Sequence, residues 1–213
     1  MCRQQGAAEL GLAVALLDGE EQLYTDTLFG PDGLYGSKHL AAVWADTPYN
    51  ARWSPALLAS SLQLMMLRSA GPWCQAAEAS LMSRVDLMLL LDLIGAASPT
   101  FRPYQDPASG QCDGYGVELA RIEDALLEAE NIYGTEKYFR ESCEGEDTIV
   151  DDHTPFLERG LRRALHVVAD PFPAVWHTME DDWEHLDTEA VARVARIIRV
   201  FVAEYLKLED MKL

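Results

Sequence analysis

Ala164-Leu165-His166-Val167-Val168 runs through Ala169-Asp170 into Pro171-Phe172-Pro173-Ala174-Val175-Trp176-His177-Thr178, and this stretch decides how the chain is read. The short apolar run closed by a Pro-bearing loop reads as a buried strand. The loop then offers an imidazole beside an indole, a plausible way to present a metal ligand against an aromatic wall. Met179 to Glu184 is acidic, and a helix capped by Asp187 or Thr188 follows. That helix carries Val191, Val194, Ala195, Ile198, Phe201, Val202 and Tyr205 on one face and Arg193, Arg196 and Arg199 on the other.

Two further apolar runs extend the pattern. Gly11 to Leu17 is continuous and stops at the turn signal Asp18-Gly19, as expected of a strand buried on both faces in a parallel sheet. Val85 to Ile94 reads as a second central strand ending at Gly95. Between the strands, Ser37 to Trp44 is expected to be a helix with Ser37 as N-cap. Ser54 to Ala70, with Leu57, Leu58, Leu62, Met65 and Met66 at helical spacing, is expected to be a second helix, ended by Gly71-Pro72. Residues 24–36 and 98–116 read as loops rich in Gly and Pro. Leu119 to Ile132 is expected to be an acidic amphipathic helix whose carboxylates form a solvated face. Tyr133 to Val150 reads as irregular, with some strand near Lys137-Tyr138-Phe139, and Thr154-Pro155 as the N-cap and first position of a helix. The whole reads as one α/β domain over residues 1–213.

Composition narrows the function. The chain has 213 residues, 49% of them hydrophobic, enough for a real core. Its formal charge of -18 argues against nucleic acid and against an anionic membrane surface. The acidity suits cations or peptide amino termini, although an acidic surface is ordinarily just solvated. Cys2, Cys74, Cys112 and Cys143 form no C-x-x-C pair and suggest neither a zinc ribbon nor a disulfide framework. No run is long enough to span a bilayer, so no membrane anchor is expected in these residues. Leu10 to Leu17 is apolar, but acids follow where a signal-peptide cleavage site would stand.

There is no H-E-x-x-H, no G-x-S-x-G and no Gly-rich phosphate loop. What remains is a set of acids and histidines at the ends of the apolar runs: Glu20, Glu21, Asp92, Asp151, Asp152, His166 and His177. Carboxylate plus imidazole is a zinc-type donor set. Adjacent carboxylates allow one to bind metal while the other moves protons. Read locally, Asp92 either serves a site or caps a turn, and His166 is either a site residue or a hydrogen-bonded core histidine. His39 and His185 are expected at the surface, and His153 to bond across its loop.

Several ordered blocks resemble one family, the animal-type glutaminyl cyclases (glutaminyl-peptide cyclotransferases), related in fold to zinc aminopeptidases. The blocks are Asp18-Gly19-Glu20-Glu21, Leu34-Tyr35-Gly36-Ser37-Lys38-His39-Leu40-Ala41, and Leu90-Leu91-Asp92-Leu93-Ile94-Gly95-Ala96 with Pro99-Thr100-Phe101. The remaining three are Asp151-Asp152-His153-Thr154-Pro155-Phe156-Leu157, Pro171 to Thr178, and Val202-Ala203-Glu204-Tyr205-Leu206.

The resemblance implies a three-layer sandwich with a central mixed, mostly parallel sheet flanked by helices, zinc-exopeptidase-like. It implies a single zinc per full catalytic domain, with Glu21 and His177 as two of three protein ligands. Glu20 becomes the general acid/base, Asp92 and Asp151 paired carboxylates near the reacting centre, and His166 a support to that network. Phe172 and Trp176 become walls of the substrate pocket. The implied activity is that of an acyltransferase cyclising N-terminal glutamine of peptides or proteins to pyroglutamate, in the secretory pathway, secreted or Golgi-anchored.

The chain also departs from the family. The family's first zinc ligand is an Asp in an upstream His-Tyr-Asp-type motif, and no such motif precedes Asp18. The chain therefore looks like the C-terminal portion of the domain, lacking the N-terminal segment. Alone it is expected to be inactive and aggregation-prone, with Gly11–Leu17 exposing an edge and apolar surface. Tyr24 to Thr27 offers no counterpart of a pocket tryptophan, Val150 stands where Gln is usual, and residues 50–84 form a helix-like insertion. The alternatives are a zinc aminopeptidase of the same fold and an inactive fragment or scaffold.

Overall fold

The computed structural model describes residues 10–21, 33–48, 63–68, 80–104, 112–130, 132, 135–143 and 149–208. Expectations for residues 22–32, 54–62, 69–79 and 105–111, and for Cys2 and Cys74, lie outside these. The elements are β1 (Leu10–Ala15), α1 (Tyr35–Asp46), β2 (Gln63–Arg68), β3 (Val85–Asp92), α2 (Gly114–Ala129), α3 (Thr154–Glu158), β4 (Ala164–Val168) and α4 (Thr188–Tyr205). The strands form a mixed sheet in the order β1-β2-β3-β4, with helices flanking it, as the α/β reading expects, but the pairs β1-β2 and β2-β3 are antiparallel where a mostly parallel sheet was expected.

Two expectations about the strands fail. The helix expected over Ser54–Ala70 is a strand where it is described. β2 lies between β1 and β3, antiparallel to both, with Met65 opposite Ala13 and Met88. Leu and Met have good helix propensity, but a continuous apolar run offered to a sheet on both sides is stabilised more by ladder hydrogen bonds and burial. Met65 and Met66 are both fully buried, on opposite faces of the strand. The segment expected to be a helix-like insertion therefore supplies a strand to the sheet. Second, β1 is buried on one face only. Ala15 and Leu17 are buried while Leu12, Val14 and Leu16 are 40–46% exposed. The expected apolar exposure along this first strand is thus present.

Two compact units divide the chain. The first comprises Met1–Leu90 with Ile149–Ala164, the second Leu91–Thr148 with Leu165–Leu213. In the first, one cluster joins Ala15 and Leu17, Leu40, Ala41 and Trp44 of α1, Met65, Met88, and Phe156 of α3. The Trp44 and Phe156 rings meet edge to face at 6.1 Å. The N-terminus of α1 begins at Leu34, in the left-handed region (φ 56°), rather than at Ser37. Ser37 lies within the helix and its hydroxyl donates back to the Leu34 carbonyl at 3.1 Å.

In the second unit α2 packs on α4. Asp113 caps α2 by accepting from Tyr115 N and Gly116 N, and Asp187 caps α4 by accepting from Glu189 N and Ala190 N. Gly116 is required by close approach, because a Cβ there would lie 2.8 Å from Pro103 Cα. Phe101 bridges to Phe139 and to Ala169, and the Phe101 and Phe139 rings lie 4.9 Å apart. The strand character expected near Phe139 is that bridge.

The solvated face expected of α2 is interrupted. Glu123 is 1% exposed. Its carboxylate accepts from Tyr138 N at 3.1 Å and Phe139 N at 2.9 Å, and pairs with Arg193 at 2.7 Å. The Arg193 guanidinium also lies 4.1 Å over the Tyr138 ring. One carboxylate thereby ties α2, α4 and the segment 135–143 together.

A disulfide joins Cys112 to Cys143, 31 residues apart. It closes a loop that contains all of α2. Replacing both cysteines with serine is expected to lower stability by about 2–4 kcal/mol, chiefly by freeing the unfolded chain. Urea unfolding of the variant against the oxidised protein checks this, and equal midpoints would contradict it.

Candidate functional site

The residues singled out from the sequence fall into both units, and each group is described within its own. In the first unit, Glu20 and Glu21 follow the run that forms β1 after the turn Asp18-Gly19, and both are exposed. The preceding backbone is held against the start of α1. Leu34 N, Tyr35 N and Gly36 N donate to the carbonyls of Glu20, Gly19 and Asp18 at 2.9, 2.8 and 3.0 Å. A helix N-terminus needs acceptors for its first N–H groups, and here they come from the acidic turn itself. Two glycines permit this. Gly19 has φ +74°, and a Cβ on Gly36 would lie 2.4 Å from Asp18 O. The block Leu-Tyr-Gly-Ser thus serves to seat Asp-Gly-Glu-Glu.

Gly36→Ala is expected to cost about 1–3 kcal/mol, because backbone on both sides must move to admit one methyl. It should also displace the turn that carries Glu20 and Glu21. Urea unfolding checks the first effect, and amide shifts of residues 18–21 check the second. No change in either would contradict the close approach.

Asp151, Asp152 and His153, also in the first unit, are all buried. They form the turn into α3. Asp151 O accepts Thr154 N at 2.8 Å, the Thr154 hydroxyl accepts Asp151 N at 3.3 Å, and Asp151 Oδ1 accepts Asp152 N at 2.5 Å. The N-cap position is His153 rather than Thr154, one residue earlier than expected, with Pro155 in the first helical turn.

In the second unit, Asp92 ends β3 and is half-buried. Its Oδ1 accepts the N–H of Leu93 at 2.8 Å, and Leu93 turns through φ +51°. The turn-capping role is therefore real, and it fixes the orientation of the carboxylate. His166 lies at the centre of β4, half-buried, alternating with the buried Leu165 and Val167.

The loop after β4 is built around its aromatic residues. The Phe172 and Trp176 rings meet at 4.8 Å and 76°, and the His177 ring stacks on Trp176 at 3.8 Å and 21°. His177 sits at φ +59°, unusual for a side-chain-bearing residue. Backbone turns hold it there. Trp176 N donates to Pro173 O at 3.0 Å, Thr178 N to Val175 O at 3.0 Å, and the Thr178 hydroxyl to Val175 O at 2.7 Å. The Trp-His-Thr order is thereby explained: the indole sets the plane of the imidazole, and the threonine closes the turn beneath it.

His39 and His185 are exposed as expected. His185 Nδ1 lies 2.8 Å from Asp182 Oδ1, and that bond raises the imidazole pKa above its ordinary value while lowering that of the carboxylate. Among the described residues, no group of three or more His, Cys, Asp or Glu is placed to hold a metal ion. Glu21 and His177 nevertheless have the donor chemistry of zinc ligands, and both are exposed.

The chain belongs to peptidase family M28, whose model matches residues 2–202. Within that family its similarity is to glutaminyl cyclases. It is 37% identical to the glutaminyl-peptide cyclotransferase of Bos taurus over 204 residues, covering 94% of this chain and 48% of that protein. It is 35% identical to the glutaminyl-peptide cyclotransferase-like protein of Mus musculus over 208 residues, covering 96% of this chain and 45% of that protein. The fold matches the crystal structure of Macrostomum lignano glutaminyl cyclase with a TM-score of 0.64 at 24% identity, covering 89% of this chain and 52% of that one. The chain spans about half the length of the curated relatives it matches.

Proposed function

We propose that this chain carries the acid/base and two of the zinc ligands of a glutaminyl-peptide cyclotransferase. The observation that supports this reading is its similarity to such enzymes over 94% of the chain. The substrate is a peptide or protein with N-terminal Gln. Its own α-amine attacks the γ-amide carbon, so the nucleophile is already tethered and little entropy is lost at that step. The new C–N bond closes the lactam, the old one breaks, and ammonia leaves.

Glu20 takes the proton from the attacking amine and returns one to the departing nitrogen. Its exposure suits contact with a substrate, and the backbone bond from Leu34 N to Glu20 O positions it. Glu21 and His177 would be two of the protein ligands of a single zinc. Zinc bound there would polarise the γ-carbonyl as a Lewis acid. Asp92 and Asp151 accept hydrogen bonds around the reacting amide, with His166 in support. Phe172 and Trp176 wall the substrate side chain. Secretory localisation is proposed alongside, and the Cys112–Cys143 disulfide supports an oxidising compartment.

The test is an assay of the native protein that carries this chain. Ammonia release and loss of the free amine from a Gln-peptide are expected, with no release of free amino acid from a leucyl-peptide. Leucyl-peptide hydrolysis would instead indicate the aminopeptidase. Absence of both activities from the zinc-loaded protein would sink the cyclase reading.

A further inference from the structure

A second site lies in the second unit, where the start of α2 meets the end of α4. A cleft of about 530 Å³ opens there, lined by Asp113, Tyr115, Glu118, Phe201, Glu204 and Tyr205. None of these residues is used by the proposed reaction. The floor is aromatic: Tyr115 and Tyr205 are half-buried, and Phe201, 2% exposed, packs against both. Tyr115 lies edge-on to Phe201 at 6.0 Å and to Tyr205 at 5.8 Å, and Phe201 lies 5.9 Å from Tyr205. The rim is anionic. Glu118 and Glu204 share the one guanidinium of Arg121, at 2.6 and 2.8 Å. Two carboxylates against one cation leave an excess negative charge at the mouth, beside the capping carboxylate of Asp113.

We propose that this cleft binds an organic cation, an alkylated ammonium or guanidinium head on an apolar body. Ring faces attract a weakly hydrated cation through their quadrupole, and the rim supplies net charge of the opposite sign. A hard divalent metal suits the cleft poorly. It needs several converging oxygens, whereas Glu118 and Glu204 are already held by Arg121 and the floor offers rings. The same chemistry could come from a free amine or from a basic side chain of a peptide. The inference stands apart from the cyclase reading.

The experiment follows amide shifts of residues 112–118 and 200–208 in the native protein that carries this chain during titration with choline and with its neutral isostere, 3,3-dimethylbutan-1-ol. Choline is expected to saturate, with the isostere about tenfold weaker. Glu204→Gln and Tyr205→Leu are each expected to weaken choline about fivefold while leaving the remaining spectrum unchanged. A short peptide with a central arginine separates the sources. Tighter binding than choline assigns the ligand to a peptide side chain, weaker binding to a free amine, and either supports the cation site. Equal binding of choline and isostere, shifts confined to other residues, or two variants that bind as the parent does would overturn it.

Discussion

Glu123→Ala is expected to destabilise the protein by about 3–5 kcal/mol, the range seen when one partner of a buried ion pair is removed. The side chain is 1% exposed and satisfies two backbone N–H groups, those of Tyr138 and Phe139. Its removal leaves both N–H donors without their acceptor and Arg193 without the carboxylate of its ion pair. Each orphaned buried donor costs about 1–3 kcal/mol, which accounts for the magnitude without any contribution from packing. For a chain of this size the melting temperature should fall by roughly 6–20 °C. Glu123→Gln keeps one acceptor oxygen but turns an amide N–H₂ towards donors, so a smaller loss is expected. The ordering Ala worse than Gln worse than parent, read by urea unfolding, checks the arrangement. A loss below about 1 kcal/mol for Ala would mean that the carboxylate contributes no more than an ordinary surface group.

The second large effect concerns chemistry. Glu20→Gln in the native protein is expected to lower turnover of a Gln-peptide by about 10²–10⁴-fold, the range for loss of a general acid/base. Zinc content and fold should be unchanged, because Glu20 contributes its backbone carbonyl to the α1 terminus and that group survives the substitution. Glu21→Gln makes the contrasting case: metal content should fall together with activity. If Glu20→Gln keeps most of the activity, the division of labour between the two acids is wrong. If it loses zinc, Glu20 is a ligand.

The strand character of Gly11 to Leu17, Val85 to Ile94 and Ala164 to Val168 was legible because uninterrupted apolar runs bounded by turn signals have few other stable states in water. The cap at Asp187 was legible for a similarly local reason, since it depends on residues within one helical turn, whereas the cap expected at Thr154 falls one residue earlier, at His153. Gln63–Arg68, within the helix expected over Ser54–Ala70, misled because Leu and Met serve either structure, and only the strands on its two sides settle the choice. Glu123 could have been noticed. It follows Ile122 and lies one helical turn beyond Leu119, on the apolar stripe of α2, where a carboxylate needs partners. Its partners, Tyr138 N, Phe139 N and Arg193, lie 15 to 70 residues away, so they could not be named from spacing. The pairing of Cys112 with Cys143 was hidden in the same way, because it needs proximity in space.

For the candidate site the division is similar. The sequence alone determined which residues have the right chemistry: two adjacent acids after one strand, an acid ending a second, and a Trp-His pair after a third. Those are properties of residue type and order. Only the tertiary structure decided how they are held. The α1 terminus seats Glu20 and Glu21 because Gly36 lets two backbones approach. Asp92 is aimed by capping its own turn. His177 is held at positive φ against an indole plane. The first depends on contacts made only once the chain is folded; the other two are between sequence neighbours, but which of the open readings holds was decided by the backbone conformation at Leu93 and His177.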